Sequence, residues 1–445
     1  MVVTRAAAAA ALSLAFVLAP LASSAHAQTS NSPLTVALGD DAALSLGGFI
    51  DATGVHRGTA TSSGLGTSFG TIPFSDTVPG SLSETLLSAQ NSRVTLAATA
   101  RVGEGEVKGY LEADFLGSAP PGLNVTANSN GLRMRVYWMR YRRHAFEFLG
   151  GQAWSLLTPS RNGLSPDTND VFFTLNVDPN YQAGLTWTRQ MQFRFGFHPT
   201  DTLAAAVSLE NPDQYVGSAV VLPNGFPAGE VDTGTLTFQV PNAMPDIVAK
   251  VAFDPKHGRL HQHVDAGVIV RRFRTFEPAA GTHEATGAGA QVTAAVEPIA
   301  PLRLIASAYL SSGGGRYLAQ SNVPDLVVAP DGILRTVDAN SLLAGAEGRV
   351  GDRLLLFGYA SGVRTRANVI ADAGGSPIGF GVPASAGANE RIAELTSGLT
   401  HTFFRDPKQG AMQLMLQYSH LWRRSFARAE AATDLFYVNV RYVLP

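Results

Sequence analysis

The chain has 445 residues, no cysteine and a formal net charge of −2. These features exclude a disulfide framework and thiolate metal sites, and they argue against a nucleic-acid partner. Only 15% of residues are charged, yet no stretch after residue 27 approaches about 20 uninterrupted apolar residues, so no helical membrane span is expected.

The N-terminus carries one early positive charge, Arg5, then an alanine-rich apolar run over residues 6–19 that Pro20 breaks. Ala25-His26-Ala27 supplies the small-x-small pattern of a signal-peptidase site. Residues 1–27 read as a signal peptide, with Gln28 opening the mature chain and residues 28–45 forming a short extension. An exported chain without helical spans can still enter a membrane as a closed β-barrel, in which all backbone groups pair between strands.

The segments that follow alternate with period two. From Val107 to Phe115 the odd positions are apolar or glycine and the even ones are Lys108, Tyr110, Glu112 and Asp114. A strand gathers those polar residues on one face, whereas a helix scatters them. The same alternation sets Val264, Ala266, Val268 and Val270 against Asp265, and Met412, Leu414, Leu416, Tyr418 and Trp422 against Gln413, Gln417 and Ser419. It recurs in Phe436, Val438, Val440, Tyr442 and Leu444, set against Tyr437, Asn439 and Arg441.

Short turn signals stand at Gly103-Glu104-Gly105, Arg143-His144, His198-Pro199-Thr200-Asp201, residues 254–258, Glu297-Pro298, Gly351-Asp352 and residues 406–410. Between them lie Gly-, Ser-, Asn- and Pro-rich connections at 58–89, 117–131, 157–180, 211–245, 278–283, 311–340, 367–388 and 427–432. The predicted class is therefore all-β: a transmembrane antiparallel β-barrel over residues 46–445, with about 16 strands, short periplasmic turns and long extracellular loops. A secreted two-sheet sandwich is the competing fold, and the strict short–long order of connections weighs against it.

If the apolar positions face lipid, the opposite positions line a lumen. That set contains Arg93, Arg101, Lys108, Arg133, Arg135, Arg194, Lys250, Arg271, Arg303, Arg349, Arg423 and Arg441 against Glu112, Asp114, Glu210, Asp265, Glu347 and Glu394. A net positive wall favours small anionic or polar solutes. Arg93, Arg133, Arg135 and Arg194 form the predicted arginine track, with Tyr110 and Tyr137 beside them. Trp138, Trp187, Trp422 and Tyr442 are candidates for aromatic girdles at headgroup level. His261-Gln262-His263 lacks a third metal ligand, the motifs of hydrolases and nucleotide-binding enzymes are absent, and no catalytic residue, metal or cofactor is expected.

Several segments taken in order are similar to the DcaP-like outer-membrane porins: Gln90-Asn91-Ser92-Arg93-Val94-Thr95-Leu96, Glu112-Ala113-Asp114-Phe115, Arg133-Met134-Arg135, Gly151-Gln152-Ala153-Trp154-Ser155, and Arg189-Gln190-Met191-Gln192-Phe193-Arg194-Phe195. The resemblance spans residues 46–210 and continues beyond them as strand–loop rhythm. It implies a homotrimer of sixteen-stranded channels that prefers small anionic solutes such as dicarboxylates and meets outer-membrane lipid and lipopolysaccharide. It also implies that the loop at 157–180, with Asp167, Asp170, Phe172, Phe173 and Asp178, folds inward to constrict the pore. Two features depart from the family pattern: the short extension has no room for a helical segment, and the chain ends in Val443-Leu444-Pro445 rather than an aromatic residue. A sugar-specific channel with an aromatic slide and a closed structural or adhesion barrel remain as alternatives.

Overall fold

The structure, a computed structural model, describes residues 33–445 apart from 118–129, 167–170, 177–180, 235–239, 256–257, 279, 384, 386 and 428–429. The predicted signal peptide lies outside the described residues.

The barrel strands are β1 (Ala42–Arg57), β2 (Glu84–Ser88 continued by Arg93–Val102), β3 (Gly105–Asp114), β4 (Arg133–Arg143), β5 (Phe146–Trp154), β6 (Arg189–Phe197), β7 (Leu203–Glu210) and β8 (Asp246–Phe253). They continue as β9 (Gln262–Glu277), β10 (Gly281–Ile299), β11 (Leu302–Ser312), β12 (Asp338–Val350), β13 (Leu354–Thr365), β14 (Asn389–Asp406), β15 (Gly410–Ser425) and β16 (Glu430–Val443). Each pairs antiparallel with the next, and β1 closes on β16 from Phe49↔Val443 to Arg57↔Leu435. The result is a closed sixteen-stranded antiparallel barrel. The first strand starts at Ala42 rather than at residue 46, and a short strand, Thr35–Ala37, pairs with Ala43–Ser45 beside it. Part of the predicted extension thus belongs to the sheet.

β2 comes in two pieces: Arg93 onwards pairs with Ala42–Phe49 of β1, and Glu84–Ser88 pairs with Thr53–Arg57. Close to the break, Gly48 has φ +126°, and a Cβ there would lie 2.1 Å from the Arg93 carbonyl oxygen, so no side chain fits.

The burial pattern is inverted relative to a water-soluble sheet. On β9, Val264, Val268 and Val270 are 39%, 51% and 44% exposed, while His263, Asp265 and Arg271 are fully buried. The same inversion runs round the wall through Leu96, Phe193, Val251, Leu304, Leu342 and Val438, all exposed. A continuous apolar surface of this kind suits lipid and no other solvent. No helix among the described residues is long and apolar enough to cross a membrane.

The short-turn rim follows the predicted turns, with one shift. β10 runs on through Pro298, and its pairing with β11 slips between Val296 and Ile299. Proline, which cannot donate to the ladder, occupies the irregularity instead of the turn. At the opposite rim two predicted long loops are tight: β9–β10 and β15–β16 are joined by residues 278–280 and 426–429, because those strands extend well beyond the apolar band.

Val268→Arg, at mid-height of the lipid face, is expected to destabilise the folded barrel by about 2–4 kcal/mol, and Leu203→Arg at the turn rim by about 0–1 kcal/mol. Denaturant unfolding in lipid vesicles measures both.

Candidate functional site

The connection between β5 and β6 enters the barrel. Its ends are pinned by the Ser155 amide, which donates to the Thr188 carbonyl at 2.9 Å, and by Trp154 stacking on Trp187 with centroids 4.0 Å apart. From there the described residues cross the interior. Lys250 of β8 donates to the Thr158 carbonyl (2.9 Å), and the Ser160 amide donates to Asp265 of β9 (3.3 Å). Arg161 reaches Glu347 of β12 through two nitrogens, one at 2.8 Å and one at 2.5 Å, with its guanidinium 4.6 Å from the Phe173 ring centre. Phe172 packs edge-on against Tyr359 of β13 (5.1 Å), and the Phe173 amide donates to the Tyr359 hydroxyl (3.1 Å). Asn176 and the Ala183 amide both donate to Glu394 of β14, at 2.6 and 2.8 Å, and the Leu175 amide donates to Gln417 of β15. The segment is therefore tied to both sides of the barrel. Phe172 and Phe173 lie inside it; Asp167, Asp170 and Asp178 lie outside the described residues.

The wall of β2–β4 carries a lattice of opposite charges. Glu112 lies 3.4 Å from Arg93 and 2.5 Å from Arg135, and it accepts from the Tyr110 hydroxyl at 3.1 Å. Asp114 accepts from Arg133 (2.9 and 2.5 Å) and from Arg135 (3.0 Å). Among the described residues, three arginines thus meet on two carboxylates. Arg133 stays 29% exposed, and Lys108 holds its ammonium 5.8 and 5.7 Å from the rings of Tyr110 and Trp138. Arg194 is placed differently: it is buried and donates to the Trp154 and Leu164 carbonyls and to Gln192, so it holds the inward segment. Arg101 and Arg349 are exposed at the turn rim.

Tyr137 is a correction. The β3–β4 register passes from Ala113↔Met134 to Glu112↔Val136, so Arg135 is the extra residue of a β-bulge. Both Arg135 and Val136 are buried, and beyond them the alternation is shifted by one. Tyr137, 46% exposed, faces lipid, and Trp138, 5% exposed, faces inward and stacks on Tyr110 at 5.4 Å. Trp138 and Trp187 are therefore interior residues rather than girdle residues, while Trp422 and Tyr442 keep the outer face.

No protein-family model matches the sequence, and no curated protein matches it either. Among solved structures, the outer-membrane channel DcaP of Acinetobacter baumannii superposes with a TM-score of 0.67 at 19% identity, over 91% of this chain and 97% of that one. The fold is that of an outer-membrane porin. That fold, with its apolar outer band, places the chain in the bacterial outer membrane. The anion-selective porin from Comamonas acidovorans (TM-score 0.49, 11% identity, 91% and 100% coverage) and the trimer form of OmpT from Vibrio cholerae (0.48, 12%, 91% and 100%) are more distant. They bear on neither solute nor assembly.

Several charged groups in the barrel interior escaped the sequence reading, Asp51 and Arg161 among them. Asp51 of β1 is fully buried against Arg441 (2.8 Å), Asn439 (2.9 Å) and Asn91 (3.2 Å). Its alternation with Thr53, opposite Ile50 and Ala52, is the signal that marks it as inward. Arg161 sits in an aperiodic loop, and nothing in the sequence marks it.

The structure also holds a Ser–His–Asp array: Ser160 Oγ lies 3.2 Å from His263 Nε2, and His263 Nδ1 lies 2.8 Å from Asp254. It lacks the arrangement for nucleophilic attack. His263 Nε2 also faces Asp265 at 3.2 Å, and Ser160 donates its proton to the Gly163 carbonyl at 2.7 Å. His261 turns to the Arg161 carbonyl (2.6 Å), so the two histidines do not converge on one point.

At the long-loop rim, described residues of the connections 211–234 and 313–337 are clamped to β8 and β9. Arg271 bridges Asp246 (2.9 Å) and Asp325 (2.7 Å), and Arg316 contacts Asp246 (3.1 Å) and Asp213 (3.8 Å). Burial pushes Asp213 up to about 7, with Asp232 and Asp325 reinforcing it and Arg316 opposing. An unfolded aspartate titrates near about 4. The folded chain therefore holds the extra proton between about pH 4 and 7, and the clamp weakens as pH rises through that window. Amide exchange across residues 211–234 is expected to accelerate over that range beyond the intrinsic rate, and Asp213→Asn to flatten the dependence.

Glu347→Ala leaves the Arg161 guanidinium buried without its carboxylate, a change that typically removes about 3–5 kcal/mol. The same exchange measurement should show faster exchange of the described residues between 155 and 188 in that variant.

Proposed function

We propose that the chain is a passive diffusion channel for small polar solutes, with a lumen that favours anions such as dicarboxylates. A barrel of sixteen strands is wide enough to leave an aqueous path. The observation that supports the reading best is an inward segment anchored across the lumen, in a barrel whose β2–β4 wall carries Arg93, Arg133 and Arg135 on the inward side. The segment narrows the path, and the partly exposed Arg133 and Lys108 offer cationic groups on the inward wall of β3 and β4. Arginine suits the task because its planar fork meets a carboxylate with two parallel hydrogen bonds. The mechanism is sieving and electrostatic filtering, with no bond made or broken. A homotrimer remains the proposed assembly.

One observation favours a carbohydrate as solute. Tyr110, partly exposed on the inward face and backed by the buried Trp138, lies beside Lys108. Sugar rings stack on such aromatic rings, so a neutral sugar that blocks ion current would favour this second reading.

The test is current through the refolded protein in a planar bilayer under a salt gradient. Stepwise conductance with an anion-favouring reversal potential is expected, and Arg133→Ala/Arg135→Ala is expected to move that potential towards cations. A cation-favouring wild type refutes the anionic preference, and no conductance from a folded barrel refutes the channel.

A further inference from the structure

β13, β14 and β15 each carry an outward-facing arginine at the long-loop rim, and neither the lumen nor the apolar band accounts for them. The ladder sets these residues side by side: Arg364 pairs with Arg391, and Arg391 pairs with Arg424. Opposed residues on neighbouring strands have Cβ atoms roughly 5 Å apart, and like charges at that distance repel. All three side chains are exposed. Arg424 is gripped by Glu390 through two hydrogen bonds of 2.9 and 2.8 Å, and Glu390 is the extra residue of a bulge between Asn389 and Arg391. Among the described residues, neither Arg364 nor Arg391 has an ion-pair partner. Three guanidinium groups are thus held in a row outside the barrel, with two carboxylates at its β15 end, Glu390 on Arg424 and Glu430 opposite it on β16.

The height of the row identifies what meets it. Below it on the same face come Trp422 on β15 and then the apolar Leu356, Leu395 and Leu416, which are 40%, 44% and 36% exposed. The arginines stand at the upper edge of the lipid-facing band, where headgroups lie. In an outer-membrane barrel the long-loop rim faces the outside of the cell. A headgroup with a single phosphate and its own cation gives such a row nothing to neutralise. A headgroup bearing several phosphates supplies the missing charge and the oxygen pairs that guanidinium forks bind.

We propose that Arg364, Arg391 and Arg424 form a binding site for a polyphosphorylated glycolipid of the outer leaflet. Its acyl chains lie along the leucines below and its phosphates bridge the row. The site lies outside the lumen and does not depend on what the channel conducts.

The test titrates the refolded full-length barrel in detergent with diphosphorylated lipid A and, separately, with its dephosphorylated form, read by native mass spectrometry. Arg364→Gln/Arg391→Gln leaves the Arg424–Glu390 pair intact. Wild type is expected to bind the diphosphorylated lipid at least tenfold more tightly than the double variant, and to lose that advantage with the dephosphorylated lipid or at high salt. Equal binding by both proteins, or equal binding of both lipids, overturns the proposal. Loss of oligomer in the double variant by light scattering also overturns it and assigns the row to contact between copies of the chain. Heat-modifiable gel mobility reports folding, and Arg391→Gln alone serves if the double variant misfolds.

Discussion

Lipid cannot hydrogen-bond a peptide group, and the rest of this structure follows from that constraint. An open sheet edge within the membrane costs several kcal/mol for each unpaired amide or carbonyl. β1 must therefore find β16, and once it does every strand has one face to lipid and one face inward. The outward face becomes the apolar one. The inward face collects the charged residues, and these must find partners where the inward segment excludes water. Asp51 with Arg441, Lys250 with Asp265 and Arg271 with Asp246 are the outcome.

Those interior charges divide into two kinds of work. Arg161 with Glu347, and Glu394 with Asn176 and Ala183, fix the inward segment to the far wall. Arg194 has its donors taken up by carbonyl oxygens. Only residues such as Lys108 and Arg133 keep part of their surface in the lumen. A tally of inward arginines therefore overstates the field that a passing solute meets. What counts is the charge left after the holding pairs are removed.

Much of the fold was legible in the sequence because the side-chain period of a strand is two and the membrane demands that it be kept. The alternation of Val264 to Val270 against Asp265, and of Phe436 to Tyr442 against Asn439 and Arg441, survives into the structure unchanged. The errors arise where that period breaks. One bulged residue at Arg135 moved Tyr137 to lipid and brought Trp138 inside, and no local signal in Arg133-Met134-Arg135-Val136 announces it. Loop residues carry no period at all, so the inward path rested on resemblance, and Arg161 had no signal of its own. Pro298 misled in the opposite sense, since it marks an irregularity inside a strand pair rather than a turn. The outer arginine row was invisible because it exists only once Arg364, Arg391 and Arg424, far apart in the chain, are brought into register.

The buried Asp51 cluster has a role in assembly as well as in structure. Its Arg441 partner is 390 positions away, so the seam between β1 and β16 is the most non-local pairing in the barrel and, by loop-closure entropy, among the last to form. At that stage many registers of the two strands satisfy the backbone equally well. Only one sets Asp51 beside Arg441 and Asn439, and every other register strands a carboxylate and a guanidinium apart in a water-poor interior. A pair that adds little net stability can still act as a lock on circumference, fixing how far the last strand slides before the cylinder shuts.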